Sequence, residues 1–131
     1  MMTTRYLCIL AMAFTMLGCH EDLDQRAYRE AREHTAKNCP MVIAPGITND
    51  SLTYDRQTRT VSYYFTLGKD IDAGKINGSL ARQELQTEII NATNLRLYKD
   101  AGFNFRYVYM SEKSGDAIVF DFLFTPKDYR K

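Results

Sequence analysis

Two stretches near the C-terminus, in which large apolar residues occupy every second position, constrain the fold most. They are Phe103, Phe105, Tyr107 and Tyr109 in the first stretch, and Ile118, Phe120, Phe122 and Phe124 in the second. Because side chains alternate between the two sides of a strand, each stretch predicts a strand with one apolar face. Residues 112–116 predict the turn of a hairpin. A register that pairs Tyr109 with Ile118 and Arg106 with Asp121 places every apolar residue on one side.

The rest of the chain predicts a second hairpin and two helices. Residues 52–67 predict the hairpin, since Val61 to Leu67 alternate in the same way. Residues 79–100 predict the main helix, with Ser79 as N-cap, Gly102 just past its end, and Leu85 and Ile89 at its buried centre. A charged helix precedes them over residues 21–37. The order α-β-β-α-β-β predicts an α+β fold, with an antiparallel sheet of about four strands and the main helix packed on one face. Met41 to Ile43 predicts a short edge strand.

The N-terminal segment predicts export. Arg5 is followed by an uncharged apolar run over residues 6–17, which as a helix of about 18 Å is too short for a bilayer core of about 30 Å. Such a run is typical of the apolar part of a signal peptide. An ordinary secretory signal with a chance cysteine is one interpretation of this segment.

The residues that end this segment, Met16-Leu17-Gly18-Cys19, resemble the lipobox of bacterial lipoproteins. The resemblance implies a signal peptide over residues 1–18, cleavage before Cys19, and diacylation of Cys19 as a membrane anchor. His20 is not aspartate, and by the same resemblance this favours the outer membrane over the inner membrane. The mature chain would then comprise a tether and charged helix, 19–38, and a single α+β domain, 39–131.

Charge and composition exclude several classes of function. The chain has 17 Lys and Arg against 16 Asp and Glu, so it lacks the basic excess of a nucleic-acid-binding protein. His34 is expected to face solvent on the charged helix, and Asp70 and Asp72 lack the further ligands of a calcium loop. Cys39 is expected to be buried or to pair with another chain. We therefore expect no metal, no cofactor and no catalytic residue.

The face of the sheet opposite the phenylalanines is the candidate binding surface. Its predicted members are Tyr64, Arg106, Val108, Met110, Asp121 and Leu123. This mixture is more apolar than a freely solvated face should be. Either the first helix covers it, or a protein partner or a second copy docks on it.

From Pro40 onward the chain resembles uncharacterised small envelope lipoprotein domains, in which two hairpins surround a helix. The resemblance implies a cell-envelope protein and carries no activity with it. We expect a non-enzymatic lipoprotein that binds a protein partner, as an inhibitor or immunity-type protein or as an accessory subunit. A small envelope hydrolase and a structural homodimer or spacer are the alternatives.

Overall fold

The computed structural model describes residues 21–130, in which a five-stranded sheet carries helices on one face. The elements are α1 (Leu23–Asn38), β1 (Met41–Ala44), β2 (Ile47–Asp55), β3 (Thr60–Leu67), α2 (Gly78–Asn91), α3 (Arg96–Asp100), β4 (Asn104–Ser111), β5 (Ala117–Phe124) and α4 (Pro126–Tyr129). This confirms the predicted α+β class. The sheet has one strand more than the expected four because β1, the predicted short edge strand, pairs with β2.

The strands follow the chain order β1-β2-β3-β4-β5 across the sheet. All neighbours are antiparallel except β3 and β4, which run parallel. The expectation of a wholly antiparallel sheet is therefore wrong. A parallel neighbour requires a crossover connection, and residues 68–103, which include α2 and α3, return the chain to the end of the sheet where β3 began.

The register of the β4–β5 hairpin differs from the predicted one by two residues. Tyr109 lies opposite Phe120, and Arg106 lies opposite Leu123 rather than Asp121. An irregularity between Tyr109 and Met110 accompanies the shift. Because side chains alternate with a period of two, a two-residue shift leaves every aromatic residue on its predicted side.

Helix α1 packs directly on the aromatic side of the sheet. Its buried residues are Ala27 and Ala31, whose small side chains let the helix lie close to β2. Thr35 fixes its position, since the hydroxyl is 2.9 Å from both the backbone nitrogen and the backbone oxygen of Leu52. The interpretation in which this helix covers the face that carries Tyr64 is therefore wrong.

Helix α2 begins and ends differently from the prediction. Asn77, not Ser79, is the N-cap, and its side chain accepts a hydrogen bond from the backbone nitrogen of Leu80. The helix ends at Asn91, where Ala92 takes an extended conformation, and the ammonium of Lys99 on α3 donates to the carbonyls of Ile89 and Ile90 at this end. None of the helices within residues 21–130 is long and apolar enough to cross a membrane.

One end of the helical side of the sheet is tightly packed, and we call it the closed end. Its members are Tyr54, Tyr98, Phe103, Phe105, Phe124 and Tyr129. The three phenylalanines are 0% exposed. Helix α4 packs at this end through Tyr129, and a capping box between Thr125 and Asp128 stabilises its first turn. The N-terminus of α1 also lies here, because Tyr54 donates a hydrogen bond to Asp24.

Candidate functional site

A groove runs between α1 and α2 on the helical side of the sheet. Helix α1 packs on β2 and helix α2 packs against β5 and α4, so the middle of the sheet is left partly uncovered. Two cavities border this uncovered part of the sheet. One of about 410 Å³ lies beside α1 and one of about 190 Å³ lies beside α2, and no residue lines both. We call the two together the interhelical groove.

The interhelical groove runs parallel to strand β3. Val61 and Phe65 line the larger cavity, and Leu67 lines the smaller. Six residue steps along a strand span about 20 Å, which gives the length of the groove. The hydrogen bond from Tyr98 to Glu30 of α1 lies at the closed end, and Glu30 and Tyr98 both line the larger cavity.

The floor of the groove is an aromatic ladder across three strands. The rings that line the cavities belong to Tyr63, Phe65, Tyr109, Phe120 and Phe122. The buried ring of Tyr107 continues the ladder behind them. Strand pairing sets Tyr63 beside Tyr107, with ring centroids 4.6 Å apart, and sets Phe65 beside Tyr109 at 4.8 Å. Most of these rings are partly exposed, although they belong to the face that the sequence predicts as core. The helices therefore cover this part of the sheet incompletely.

Three tyrosine hydroxyls of the floor make no hydrogen bond to another described residue. Burial raises the pKa of Tyr63 to about 12 and, together with the charge of Glu88, raises the pKa of Tyr109 to about 12. Burial also raises the pKa of Tyr107 far above its ordinary value. All three hydroxyls are neutral near pH 7, and each can donate and accept a hydrogen bond. The hydroxyls of Tyr63 and Tyr109, whose residues line the two cavities, are available to polar groups of a ligand.

Two carboxylates border the smaller cavity. Glu84 and Glu88 stand one helical turn apart on α2, beside Leu85 and Ile76. Neither has a cation within 4.0 Å among residues 21–130, whereas Glu30, at the larger cavity, is held by Arg26 at 2.8 Å. The groove thus combines an apolar aromatic floor with two free negative charges at one rim.

A polar cluster lies at the side of the larger cavity, centred on Asn49. This residue is buried at an irregularity of β2, and its side-chain oxygen accepts from Cys39 Sγ at 3.2 Å and lies 2.9 Å from His34 Nε2. His34 therefore does not simply face solvent, and that expectation is wrong. Burial raises the pKa of Cys39, which disfavours the nucleophilic thiolate. The cluster fixes the end of α1 against the sheet.

Within the described part of the chain, no three residues among His, Cys, Asp and Glu form a group that could hold a metal ion. The groove is lined mainly by apolar carbon, and its titratable groups are spread along its length rather than gathered at one point. The geometry therefore suits binding better than catalysis.

The structure brings the six sequence-predicted surface residues together on the opposite, helix-free face of the sheet. Arg106 and Asp121 form a two-point ion pair at 2.8 and 2.6 Å, and the hydrogen bonds from Arg106 lower the pKa of Asp121. Val108 is only 1% exposed and offers no contact area, whereas Leu123 is 45% exposed. Tyr64 and Met110 are intermediate. Among the described residues no helix covers this face.

Other predicted residues have different outcomes. Cys19 and the signal peptide lie outside the described residues. Sequence reasoning placed Tyr63, Tyr107 and Tyr109 in the core; this is confirmed for Tyr107, whereas Tyr63 and Tyr109 line the cavities, so the groove was missed. A signal was present, because these two positions carry tyrosine where phenylalanine would fill a sealed core without an unpaired hydroxyl.

Comparison with known proteins places the chain in a family and gives its fold relatives. Residues 22–120 match the family model described as "Domain of unknown function (DUF8479)", so the chain belongs to this family. No curated protein matches the sequence. Three solved structures share the fold.

The first is PA3611 of Pseudomonas aeruginosa, a protein thought to be secreted. It is 17% identical with a TM-score of 0.70, and the match covers 82% of this chain and 93% of that one. The pilotin EpsS of the Vibrio vulnificus type 2 secretion system is 16% identical with a TM-score of 0.59 (83% and 93% covered). The type II secretion system pilotin AspS of Vibrio cholerae is 16% identical with a TM-score of 0.60 (86% and 97% covered).

Proposed function

We propose that this member of the DUF8479 family is a lipid-anchored protein of the bacterial envelope that binds a protein partner in the interhelical groove and performs no catalysis. The observation that carries the proposal is the floor of the groove. Large aromatic rings remain partly exposed there, and the hydroxyls of Tyr63 and Tyr109, which line the two cavities, have no hydrogen-bond partner among the described residues. Exposed aromatic surface of this kind marks binding sites, because it is costly to leave in water.

The fold relatives favour one version of this function. Two of them are pilotins of type II secretion systems, and each match covers more than four fifths of the present chain. An accessory subunit of an envelope machine is therefore a better match than an inhibitor or immunity-type protein. A hydrolase would need convergent polar groups in its cleft, and the groove floor offers aromatic rings instead.

The position of Cys19 orients the groove relative to the membrane. Helix α1 begins at Leu23, only a few residues after the proposed lipid anchor, and its N-terminus lies at the closed end. A helix of 16 residues is about 24 Å long. The smaller cavity, with Ile76 and Phe120, lies toward the opposite end of the sheet. The anchor would thus hold the closed end near the bilayer and present the other end of the groove to partners.

In-cell cross-linking of the full-length tagged lipoprotein, followed by mass spectrometry, tests the proposal. Ile43 and Ile76 line the groove and are 49% and 37% exposed, so Ile43→Asp and Ile76→Asp should abolish partner capture and leave the fold intact. Leu80 and Leu97 are comparably exposed but lie outside the groove, so Leu80→Asp and Leu97→Asp are matched controls that should retain capture. Cys19→Ala should release the protein from the membrane fraction.

The same experiment contains the outcomes that contradict the proposal. Capture that survives both groove variants but is lost in Met110→Asp would move the binding site to the helix-free face that carries Tyr64, Arg106, Asp121 and Leu123. Recovery of self-links alone, from correctly acylated protein, would favour the homodimer or spacer. Membrane retention of the Cys19→Ala form would contradict the lipid anchor.

A further inference from the structure

The outer edge of β5 is the longest free strand edge in the described part of the chain. We infer that this edge binds an extended peptide segment of a partner protein, which adds to the five-stranded sheet as one further strand. Such a strand lies in the plane of the sheet, whereas the proposed occupant of the interhelical groove lies above it. The edge is therefore a second binding site, separate from the groove.

The hydrogen bonds of β4 show which backbone groups of β5 point outward. The backbone nitrogen of Asn104 bonds to the carbonyl of Arg59 at 2.9 Å, so Asn104 and every second residue after it face β3. The residues between them face β5 and pair with its three phenylalanines. Because the direction of the backbone groups alternates along a strand, Asp121 and Leu123 direct their N–H and C=O groups away from the sheet.

Three of these four outward groups have no hydrogen-bond partner within residues 21–130. The exception is the carbonyl of Leu123, which accepts from Arg82 Nη2 of α2 at 3.1 Å. Where β1 leaves the opposite edge uncovered, the hydroxyl of Thr35 bonds to both the nitrogen and the oxygen of Leu52. Strand β1 itself is only four residues long and irregular. The edge of β5 is thus less protected than the other edge of the sheet.

The side chains of β5 do not protect its edge either. Natural edge strands are commonly protected by charge, by proline or by short length, whereas β5 has eight residues, no proline and one charged residue, Asp121. Arg106 neutralises this carboxylate through their two-point ion pair. Ile118 and Leu123, on the helix-free side, are 59% and 45% exposed. The irregularity of the hairpin lies opposite the end of β4 and leaves Phe120–Phe124 regularly paired.

An extended backbone suits this row of outward groups. A strand presents alternating N–H and C=O groups at the spacing of β5, whereas a helix has used its own backbone groups and an acyl chain has no donor. The edge from Ile118 to Leu123 is about 20 Å long, which corresponds to about six extended residues. Side chains of the added strand on the helix-free side would contact Ile118 and Leu123, so we expect them to be apolar.

The proposed membrane anchor favours a foreign segment over a second copy of the chain. Two copies joined through the same edge are related by a two-fold axis, and their β5 strands would be antiparallel. Strand β5 runs toward the closed end, because it ends at Phe124 of that cluster. In the orientation proposed above, the closed ends of all anchored copies face the bilayer, so their β5 strands point the same way. Antiparallel pairing of two anchored copies does not fit this arrangement.

Selection from a displayed library of random linear peptides tests the inference, with the acylated full-length chain held in phospholipid nanodiscs. We expect apolar peptides that protect the backbone amides of Asp121 and Leu123 from hydrogen exchange. Leu123→Pro removes an outward N–H without breaking a bond to β4, so it should weaken binding about tenfold or more. Leu123→Ala is the matched control, because it keeps the N–H, and it should weaken binding far less. Thermal denaturation checks that both variants fold.

N-methylated peptides give a second measurement that leaves the protein unchanged. Methylation of a peptide nitrogen that faces β5 removes a donor and places a methyl group at the contact, whereas the next nitrogen along the peptide faces away. We therefore expect binding to fall about tenfold at every second position and to persist at the positions between. This alternation is specific to a strand, because a peptide held by its side chains alone would not show it.

Each contrary outcome is distinct. Binding that survives Leu123→Pro in the folded protein, or that falls equally at successive methylated positions, overturns strand addition. Peptides that are lost in Ile76→Asp but kept in Leu123→Pro bind in the groove, which overturns the edge site and leaves the proposed function intact. Chain-to-chain cross-links that Leu123→Pro removes, with no peptide selected, overturn it in favour of a second copy. Alternating, proline-sensitive binding that persists in Ile43→Asp and Ile76→Asp supports the edge site even if the proposed groove function fails.

Discussion

The closed end and the interhelical groove occupy the same side of the same sheet and use the same residue types, yet they differ in how they satisfy their tyrosines. At the closed end, Tyr54 donates to Asp24, Tyr98 donates to Glu30, and Tyr129 donates to the carbonyl of Phe103 at 2.6 Å. The groove tyrosines have no such partner among the described residues.

The difference shows which part of the aromatic face is structural. A tyrosine whose hydroxyl bonds within the protein stabilises the fold, whereas one whose hydroxyl is open to solvent can exchange water for a polar group of a ligand. We therefore expect the closed end to contribute most of the folding stability and the groove to contribute most of the binding to a partner. Substitutions should separate the two regions.

The largest expected effect is on packing. Phe124→Ala at the closed end removes a ring that is 0% exposed and should lower the free energy of unfolding by about 3–5 kcal/mol, because a cavity remains. Phe122→Ala in the groove removes a partly exposed ring and should cost about 1–2 kcal/mol. Urea denaturation measures both. Equal losses would show that the groove is as much a core as the closed end.

The next effect concerns hydroxyls. Tyr129→Phe leaves the carbonyl of Phe103 without its hydrogen bond and should cost about 1–2 kcal/mol of unfolding free energy. Tyr109→Phe removes a hydroxyl of the smaller cavity that has no partner among the described residues, so stability should stay the same or rise slightly while partner binding weakens. Thermal denaturation and partner capture measure the pair. A large destabilisation by Tyr109→Phe would mean that its hydroxyl has a structural partner.

Alkaline pH provides a graded test. The pKa of Tyr63 is raised to about 12 in the folded protein, whereas an unfolded tyrosine titrates near pH 10. The folded state holds this proton more tightly, so the stabilisation is complete below about pH 10 and is lost as the pH rises toward about 12. Tyr63→Phe should flatten this fall in unfolding free energy. An unchanged alkaline profile would contradict the buried, neutral hydroxyl.

The smallest effect belongs to the helix-free face. Asp121→Asn breaks an exposed ion pair with Arg106 and should cost less than about 1 kcal/mol, because water screens such pairs. Since the pKa of Asp121 is lowered, its contribution is present above the carboxylate's ordinary pKa of about 4 and fades as the pH falls below it. Acid titration of the wild-type and variant proteins checks this. A loss of several kcal/mol would indicate that this face is part of the core.

Much of the fold could be predicted because local patterns encode it. The alternation of Phe103 to Tyr109 and of Phe120 to Phe124 predicted β4 and β5 and the side each residue faces, and both predictions are confirmed. Ile118 is the exception, because it lies past the irregularity, pairs with Met110 and is 59% exposed. The register was wrong by two residues, since alternation cannot distinguish shifts by a full period. The end of α2 at Asn91 was missed as well, because the carbonyls that it leaves free are satisfied by Lys99 of α3, a contact that only the tertiary structure shows.

The candidate site could be predicted less well. The six residues of the helix-free face were correctly assigned to one side of the sheet: Tyr64, Arg106, Val108, Met110, Asp121 and Leu123. That face was expected to be covered by the first helix or by a partner. Helix α1 lies on the aromatic side, so cover by the first helix is excluded, while the docking of a partner on this face stays a prediction. A helix with an apolar stripe as narrow as Ala27 and Ala31 can pack on either side of a sheet, and its sequence does not say which.

The sequence by itself determined the strands, the aromatic side of the sheet and the lipobox-like segment, since each depends on the spacing of neighbouring residues. The tertiary structure alone decided that β3 and β4 run parallel, that α1 and α2 stand apart on one side, and that Tyr63 and Tyr109 line the cavities without a hydrogen-bond partner among the described residues. Those features depend on how distant segments pack. Packing of two helices on the same sheet depends on contacts between residues that are far apart in the sequence. The periodicity of a local segment carries no information about such contacts.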